Sequence, residues 1–348
     1  METLYEVLAL TSEAALFIKE GRVDYANAAA RRLLGDGCAG CQADSLFRME
    51  LSQPLSGMSL ADTVCNGENL LLRVSPLADG RLVFLEKQEE PPTLFSDGFL
   101  FYLRSHLMTL GLAADSIRPR AEDLGDTELL NTLARLTHSY YTLMRLTENA
   151  ALARREYDPD TPFSTAELDL SLLCHAVLDA AEEHFPAVAF RREIPSGLRL
   201  VADARLLRLL LFNLISNALL HAQPHTVCLS VFEGKERTIL SVSDDGCGIP
   251  EEELSTVFCR CRQAFRLDSA GQGIGFGLSA ARSITQLHGG SLLIESREQV
   301  GTTVRAAISR SLQVNSLNCG NELCTMRDVL LGLADCLPED CFRETFMD

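Results

Sequence analysis

Residues 202–222 read ADARLLRLLLFNLISNALLHA, a helical stretch so apolar that it fits only inside a sizeable core. Asn213 and Asn217 stand four residues apart within it, hence on one face. Two amides on an otherwise apolar helix are costly unless something binds them. Their carbonyl oxygens suit hard cations such as Mg²⁺, and their NH₂ groups suit phosphate. Pairing with local backbone is the bland alternative. A chain of 348 residues has room for this core and for two or three domains.

Three further segments follow in order. LSVSDDGCGIP (240–250) alternates into a strand that closes on Asp244, where a carboxylate can accept from an exocyclic amine such as adenine N6. Gly246 and Gly248 then let the backbone turn and approach a flat ligand. GQGIGFGLSAARSI (271–284) places Gly271, Gly273, Gly275 and Gly277 before Leu278 and a helical pattern. Free N–H groups leading into a helix amino terminus make a phosphate cradle. No strand immediately precedes it and no acidic residue falls at ribose spacing, so it is not a dinucleotide fingerprint. HGGSLLIESREQVGTTVRAAI (288–308) reads as a hairpin carrying Thr303 on its second strand.

Each segment alone is a weak signal; their joint order is specific. Together they resemble the asparagine, first-glycine, second-glycine and terminal-hairpin motifs of sensor histidine kinases, whose ATP-binding fold is shared with gyrase-like, chaperone and mismatch-repair ATPases. The resemblance spans residues 164–312. It implies an α/β sandwich with a lid near 251–272 and two cofactors, ATP and Mg²⁺. Asn217 would hold the metal with Asn213 assisting, and Asp244 would read adenine with Thr303 near it. Gly246 and Gly248 would back the base; Gly271, Gly273, Gly275, Gly277 and Leu278 would line the phosphate side. Arg260 would reach phosphate. His221 lies one place after the family's usual lysine position, here Leu220, which puts phosphate contact from that point in doubt.

The remaining chain is read as α+β multidomain. Residues 1–90 place a hairpin around Lys19-Glu20-Gly21-Arg22, a helix after Asn27, and a second hairpin around Ala78-Asp79-Gly80-Arg81. That order, with the stretch EGRVDYANAAARRLLG, is similar to PAS sensor domains; some other small α+β domain is the alternative. Residues 91–157 hold two helical patterns, 93–117 and 126–156, with Arg118-Pro119-Arg120 as the break. In the first, Leu100, Leu103, Leu107, Leu110, Ala114 and Ile117 repeat at coiled-coil spacing. Two copies of such an antiparallel hairpin make a dimeric four-helix bundle, so a homodimer is expected. Residues 158–312 form the ATP-binding domain, and 313–348 a C-terminal tail with a short amphipathic helix.

The segment LRSHLMTLG (103–111) stands where sensor kinases carry the phosphoacceptor. His106 is the candidate catalytic residue, yet Leu107 occupies the place of its usual acidic neighbour. In the register that keeps Leu107 and Thr109 in their family places, Ser105 takes the acceptor position. Two functions therefore compete. One is a sensor histidine kinase that passes phosphoryl to a separate response regulator; the other is an ATP-gated scaffold with a degenerate acceptor. A hydrolytic ATPase ranks below both, because Leu209 stands where a water-activating glutamate belongs.

Composition narrows the class further. A net charge of −17 argues against nucleic acid as a partner and against an anionic membrane surface. No run of eighteen apolar residues occurs, so membrane insertion is not expected. METLYEVLAL lacks the basic start of a signal peptide, and a cytoplasmic location follows as the expectation. The twelve cysteines are then free thiols; neither Cys38/Cys41 nor Cys259/Cys261 has partners at zinc-ligand spacing.

Overall fold

The structure is a computed structural model that describes residues 2–49, 58–87, 97–153, 163–250, 276–315 and 323–343. The amino-terminal part runs α1 (Glu2–Leu10), β1 (Ala14–Lys19), β2 (Arg22–Ala26), α2 (Ala28–Leu34), α3 (Ala43–Phe47), β3 (Ser59–Cys65), β4 (Glu68–Leu77) and β5 (Gly80–Lys87). β1 and β2 pair across the turn at Glu20 and Gly21, which both adopt positive φ. Asn27 caps α2 by accepting from Ala30 N at 2.9 Å and also accepts from Ala15 N at 3.1 Å, which fixes the helix against β1. β4 and β5 form the second hairpin. Sequence reading passed over β3, which completes the strand order β2-β1-β5-β4-β3.

The helical pair follows as α4 (Asp97–Asp123) and α5 (Thr127–Ala153). Here one expectation is corrected: Arg118-Pro119-Arg120 does not break the chain, and Pro119 lies inside α4. Packing overrides the local penalty. Ala114 and Ala121 are buried against Leu133 of α5 on either side of the proline. The Arg118 side chain, 1% exposed, donates to Thr137 Oγ1 at 2.9 Å and to the carbonyl of Arg343. The turn comes later, at Gly125 with φ 63°. The leucine repeat divides between two rows. Leu100, Leu107 and Ala114 are buried, Leu103 is half-buried, while Leu110 and Ile117 are 58% and 47% exposed.

The remainder comprises β6 (Ala166–Asp169), α6 (Leu170–His184), β7 (Ala189–Glu193), β8 (Arg199–Ala202), α7 (Ala204–Asn217), β9 (Thr226–Glu233), β10 (Arg237–Asp244), α8 (Phe276–Leu287), β11 (Leu292–Arg297), β12 (Gly301–Ser309) and α9 (Met326–Gly332). β6 and β8 make a separate two-stranded ladder. The other strands extend one ten-stranded sheet, β2-β1-β5-β4-β3-β11-β12-β10-β9-β7, antiparallel except for β7 against β9. The join is β3 against β11, with Leu60 opposite Ile294 and Ala61 opposite Leu293. Alternation carries the two cores across this join: Leu60 packs into the core of α6, α7 and α8, and Leu293 into that of α2 and α3.

Candidate functional site

The apolar helix singled out from the sequence is α7. Asp203 caps it, accepting from Leu206 N at 3.0 Å, and twelve of its residues from Ala204 to Ser216 are buried. Past Asn217 the coil widens into a π-helical turn, Ala218–Ala222, a distortion that often marks functional sites in helices. Gln223 at φ 48° ends it.

The turn links two halves of a site. On one side lies the amino terminus of α8. A Cβ placed on Gly277 would stand 3.3 Å from Asn217 Oδ1 and 3.6 Å from Asn213 Oδ1, so this glycine sits against both amides. Leu278 is half-buried on the core. On the other side, the carbonyl of Ala222 accepts from Cys247 N at 3.1 Å. Gly246 packs so close to Ala222 that a Cβ would approach its carbonyl to 2.3 Å. Gly248, at φ 66°, leaves 2.1 Å between a Cβ and the carbonyl of Arg297. Both glycines are thus required by close contact with the chain's own backbone, a reason separate from the ligand approach expected of them.

Asp244 ends β10 opposite Thr302. It is half-buried, and its Oδ1 accepts from Gly246 N at 3.0 Å and Thr302 N at 3.3 Å. Burial raises its pKa; the two N–H bonds oppose that, and neighbouring Asp245 adds to it. Thr303 pairs with Ser243 through their hydroxyls at 2.8 Å, one strand position from Asp244. Asp245, in contrast, is an exposed loop tie that accepts from His225 N and Thr226 N, both at 2.8 Å. Gly271, Gly273, Gly275 and Arg260 lie outside the described residues.

The two asparagines differ. Asn217 Nδ2 is buried without a hydrogen-bond partner among the described residues, and its Oδ1 faces the Gly277 backbone. An amide held unpaired there fits a site completed by a ligand. Asn213, 0% exposed, is already satisfied. It exchanges amide bonds with Asn149 of α5 at 2.9 and 3.0 Å, and its Oδ1 also accepts from Arg145 Nη2 at 3.2 Å. An oxygen facing a guanidinium is a poor metal ligand. The orphan Nδ2 of Asn217 calls for an acceptor such as a phosphate oxygen, which leaves its Oδ1 as the atom that could meet Mg²⁺, whereas Asn213 Oδ1 is already occupied in this arrangement. Sequence reading missed Arg145 and Asn149. They stand four apart on the buried face of α5, a face that only the packing of α5 on α7 defines.

His106 is exposed on α4, with its ring edge-on to Tyr102 at 4.3 Å. Ser105 is also exposed, and its carbonyl accepts from Thr109 Oγ1 at 3.0 Å. Leu107, the residue in the usual acidic place, is buried.

Residues 202–311 match the family described as histidine kinase-, DNA gyrase B-, and HSP90-like ATPases. This segment is a histidine-kinase-type ATPase domain. Among curated proteins, the chain is 39% identical over 98 residues to the sensor histidine kinase GtrS of Pseudomonas aeruginosa, covering 28% of this chain and 20% of that protein. It is 27% identical over 256 residues to the adaptive-response sensory kinase SasA of Parasynechococcus marenigrum, covering 70% and 65%. The chain thus spans less than two thirds of each of these relatives. A solved catalytic domain of the histidine kinase ThkA aligns over 42% of this chain and 96% of its own, at 27% identity and a TM-score of 0.37. In the ATPase domain Leu209, at the position of a water-activating glutamate, is a core residue 7% exposed. Among the described residues no helix is long and apolar enough to cross a membrane.

Proposed function

We propose that the chain is a PAS-linked sensor histidine kinase that binds Mg-ATP in its ATPase domain and phosphorylates its own hairpin on His106. The observation that carries the reading is the convergence of Gly277 on the Asn217 and Asn213 amides, one π-helical turn from the loop of Asp244. Asn217 would hold the metal, Asp244 would read the adenine amine, and the α8 amino terminus would face phosphate. ATP supplies the γ-phosphoryl group, and the protein's task is positioning and charge neutralisation. A separate response regulator would then take the phosphoryl group. The strand order β2-β1-β5-β4-β3 with α2 and α3 against it supports the PAS assignment of residues 1–90.

The hairpin of residues 91–157 would also make a homodimer. Leu110 and Ile117 on α4, Leu124 just past its end, and Leu136 and Leu143 on α5 recur at seven-residue spacing and are exposed. That is the second row a four-helix bundle would bury. A Leu110→Asp variant should sediment as a monomer where the wild type sediments as a dimer.

Incubation with γ-labelled ATP tests the activity. The reading expects an acid-labile, base-stable label that is lost in His106→Gln and kept in Ser105→Ala. A base-labile label lost in Ser105→Ala would assign the other residue. The second reading, an ATP-binding scaffold, is favoured by Leu107: it is apolar and buried and leaves the His106 imidazole without an acidic neighbour. ATP bound with no label at all would establish it.

A further inference from the structure

The segment after β12 folds back onto the ATPase domain in register. On α7, Arg208, Phe212 and Ser216 form one row at four-residue spacing. Asp328, Gly332 and Cys336 form a matching row. Arg208 Nη1 reaches Asp328 Oδ2 at 3.2 Å, and Ser216 Oγ lies 3.2 Å from Cys336 Sγ. Between them Gly332 rests on Phe212 so closely that a Cβ would stand 2.4 Å from the ring. The same segment grips the hairpin. Ala334 O bonds His138 Nε2 at 2.9 Å, and Phe342 is fully buried, stacked on the His138 ring at 4.7 Å. Leu330 and Leu333 are fully buried as well, so this is a packed element with its own anchors.

Its position next to the asparagines gives it a consequence. Asp335 Oδ2 holds Arg145 Nη1 at 2.8 Å, with the Arg145 side chain 4% exposed. Arg145 in turn donates to Asn213 Oδ1, and Asn149 occupies the rest of that amide. A divalent cation brought to Asn213 Oδ1 would have to share that oxygen with the guanidinium, whose Nη2 stands 3.2 Å from it, a like-charge repulsion weakly screened in a buried site. Withdrawing Arg145 would leave Asp335 without its partner and loosen the segment.

The geometry points to residues 324–343 as an autoinhibitory clasp. By pinning α5 on α7 through Asp335, Arg145 and Asn149, the clasp keeps Asn213 from the nucleotide-bound metal, so that clasp docking and Mg-ATP binding oppose each other. The opposition is reciprocal: Mg-ATP loosens the clasp by the factor by which the clasp weakens Mg-ATP. The inference rests on the nucleotide site proposed above.

Calorimetry with Mg-ATP on the full chain tests it, alongside hydrogen exchange of residues 326–337. Asp335→Asn removes the ion pair, and Gly332→Val drives a side chain into Phe212. In each, the clasp amides should exchange faster while Mg-ATP binds about tenfold tighter, the gain expected when a mostly closed state is opened. A merely structural lesion would weaken binding instead. Conversely, Ser216→Cys places a second thiol beside that of Cys336. Oxidation by a small disulfide, which takes up the two electrons and two protons that the paired thiols lose, should weaken Mg-ATP binding until a reductant is added. Unchanged Mg-ATP affinity in variants whose clasp amides exchange faster would overturn the clasp and leave the nucleotide site standing. Absence of Mg-ATP binding in every variant, the wild type included, would overturn both.

Discussion

His288 opens the HGG segment, and its replacement by leucine tests whether that segment serves the fold or the ligand. The ring is 0% exposed. Its Nε2 accepts from Asp203 N at 3.1 Å, and its Nδ1 bonds Ile284 O at 2.7 Å. The two partners would suffer unequally. Ile284 O keeps the backbone N–H of residue 288 at 3.1 Å, whereas Asp203 N, at the buried start of α7, has no second acceptor among the described residues. Stranding that donor costs about 1–3 kcal/mol. Loss of the edge-on pair with Phe163, centroids 5.1 Å apart, costs about 0.5–1.5 kcal/mol more. Together His288→Leu should lower the opening free energy of α7 by about 1.5–4.5 kcal/mol. Native-state hydrogen exchange reads this without assuming that the whole chain unfolds in one step. The α7 amides should exchange about 10- to 1,600-fold faster. His288→Gln, which offers an acceptor, should recover part of the loss. Exchange within twofold of wild type in His288→Leu would refute the reasoning.

Three more outcomes are expected. Burial lowers the His288 pKa, and its hydrogen bonds to Ile284 and the charge of Asp203 only partly restore it. The folded form thus binds its proton more weakly than the unfolded form, and stability is full above pH about 6.5 and falls as pH drops below it; urea midpoints across pH 5 to 8 check this, and a flat profile would contradict it. Asn217→Ala should lose most Mg-dependent ATP affinity, while Asp244→Asn should weaken binding with Mg²⁺ or without it; equal affinities for wild type and both variants in calorimetry would remove the nucleotide site. Gly290→Ala places a Cβ 1.7 Å from the Ala307 carbonyl and should destabilise by about 1–3 kcal/mol or more, read as a lower thermal midpoint.

The parts of this protein that were legible from sequence are those whose chemistry is local. A strand closing on Asp244 follows from alternation and the Asp-Gly turn after it, and β10 ends there. The two hairpins around Gly21 and Gly80 announced themselves by their turn residues. The Asn213 and Asn217 pair was visible as a polar face on an apolar helix, but its partners were not. That Asn213 meets Asn149 and Arg145 depends on how α5 lies across α7, and no spacing within either helix reports it. Pro119 misled for a related reason: local preference ends a helix there, and the burial of Ala121 against α5 and of Arg118 between Thr137 and the carbonyl of Arg343 carries α4 through. The tail read only as an amphipathic stretch. Its pairing with the row Arg208, Phe212 and Ser216 emerges when both rows are set side by side.

The seam between β3 and β11 means that neither half of the molecule owns a finished surface. Cut free of residues 1–90, the ATPase domain would present β11 as an unpaired edge, with the main-chain groups of Leu292 to Glu295 open to whatever strand arrives. Leu293, 6% exposed in the intact chain, would lie bare on that edge beside the uncovered face of Ile294. Such a fragment is a template for sticking to its own copies, and its solubility would reflect the excision more than the intact chain. The amino-terminal half has the mirror-image problem at Ser59 to Asp62. What looks like a chain of separable modules is, at this one ladder of backbone bonds, a single piece of material.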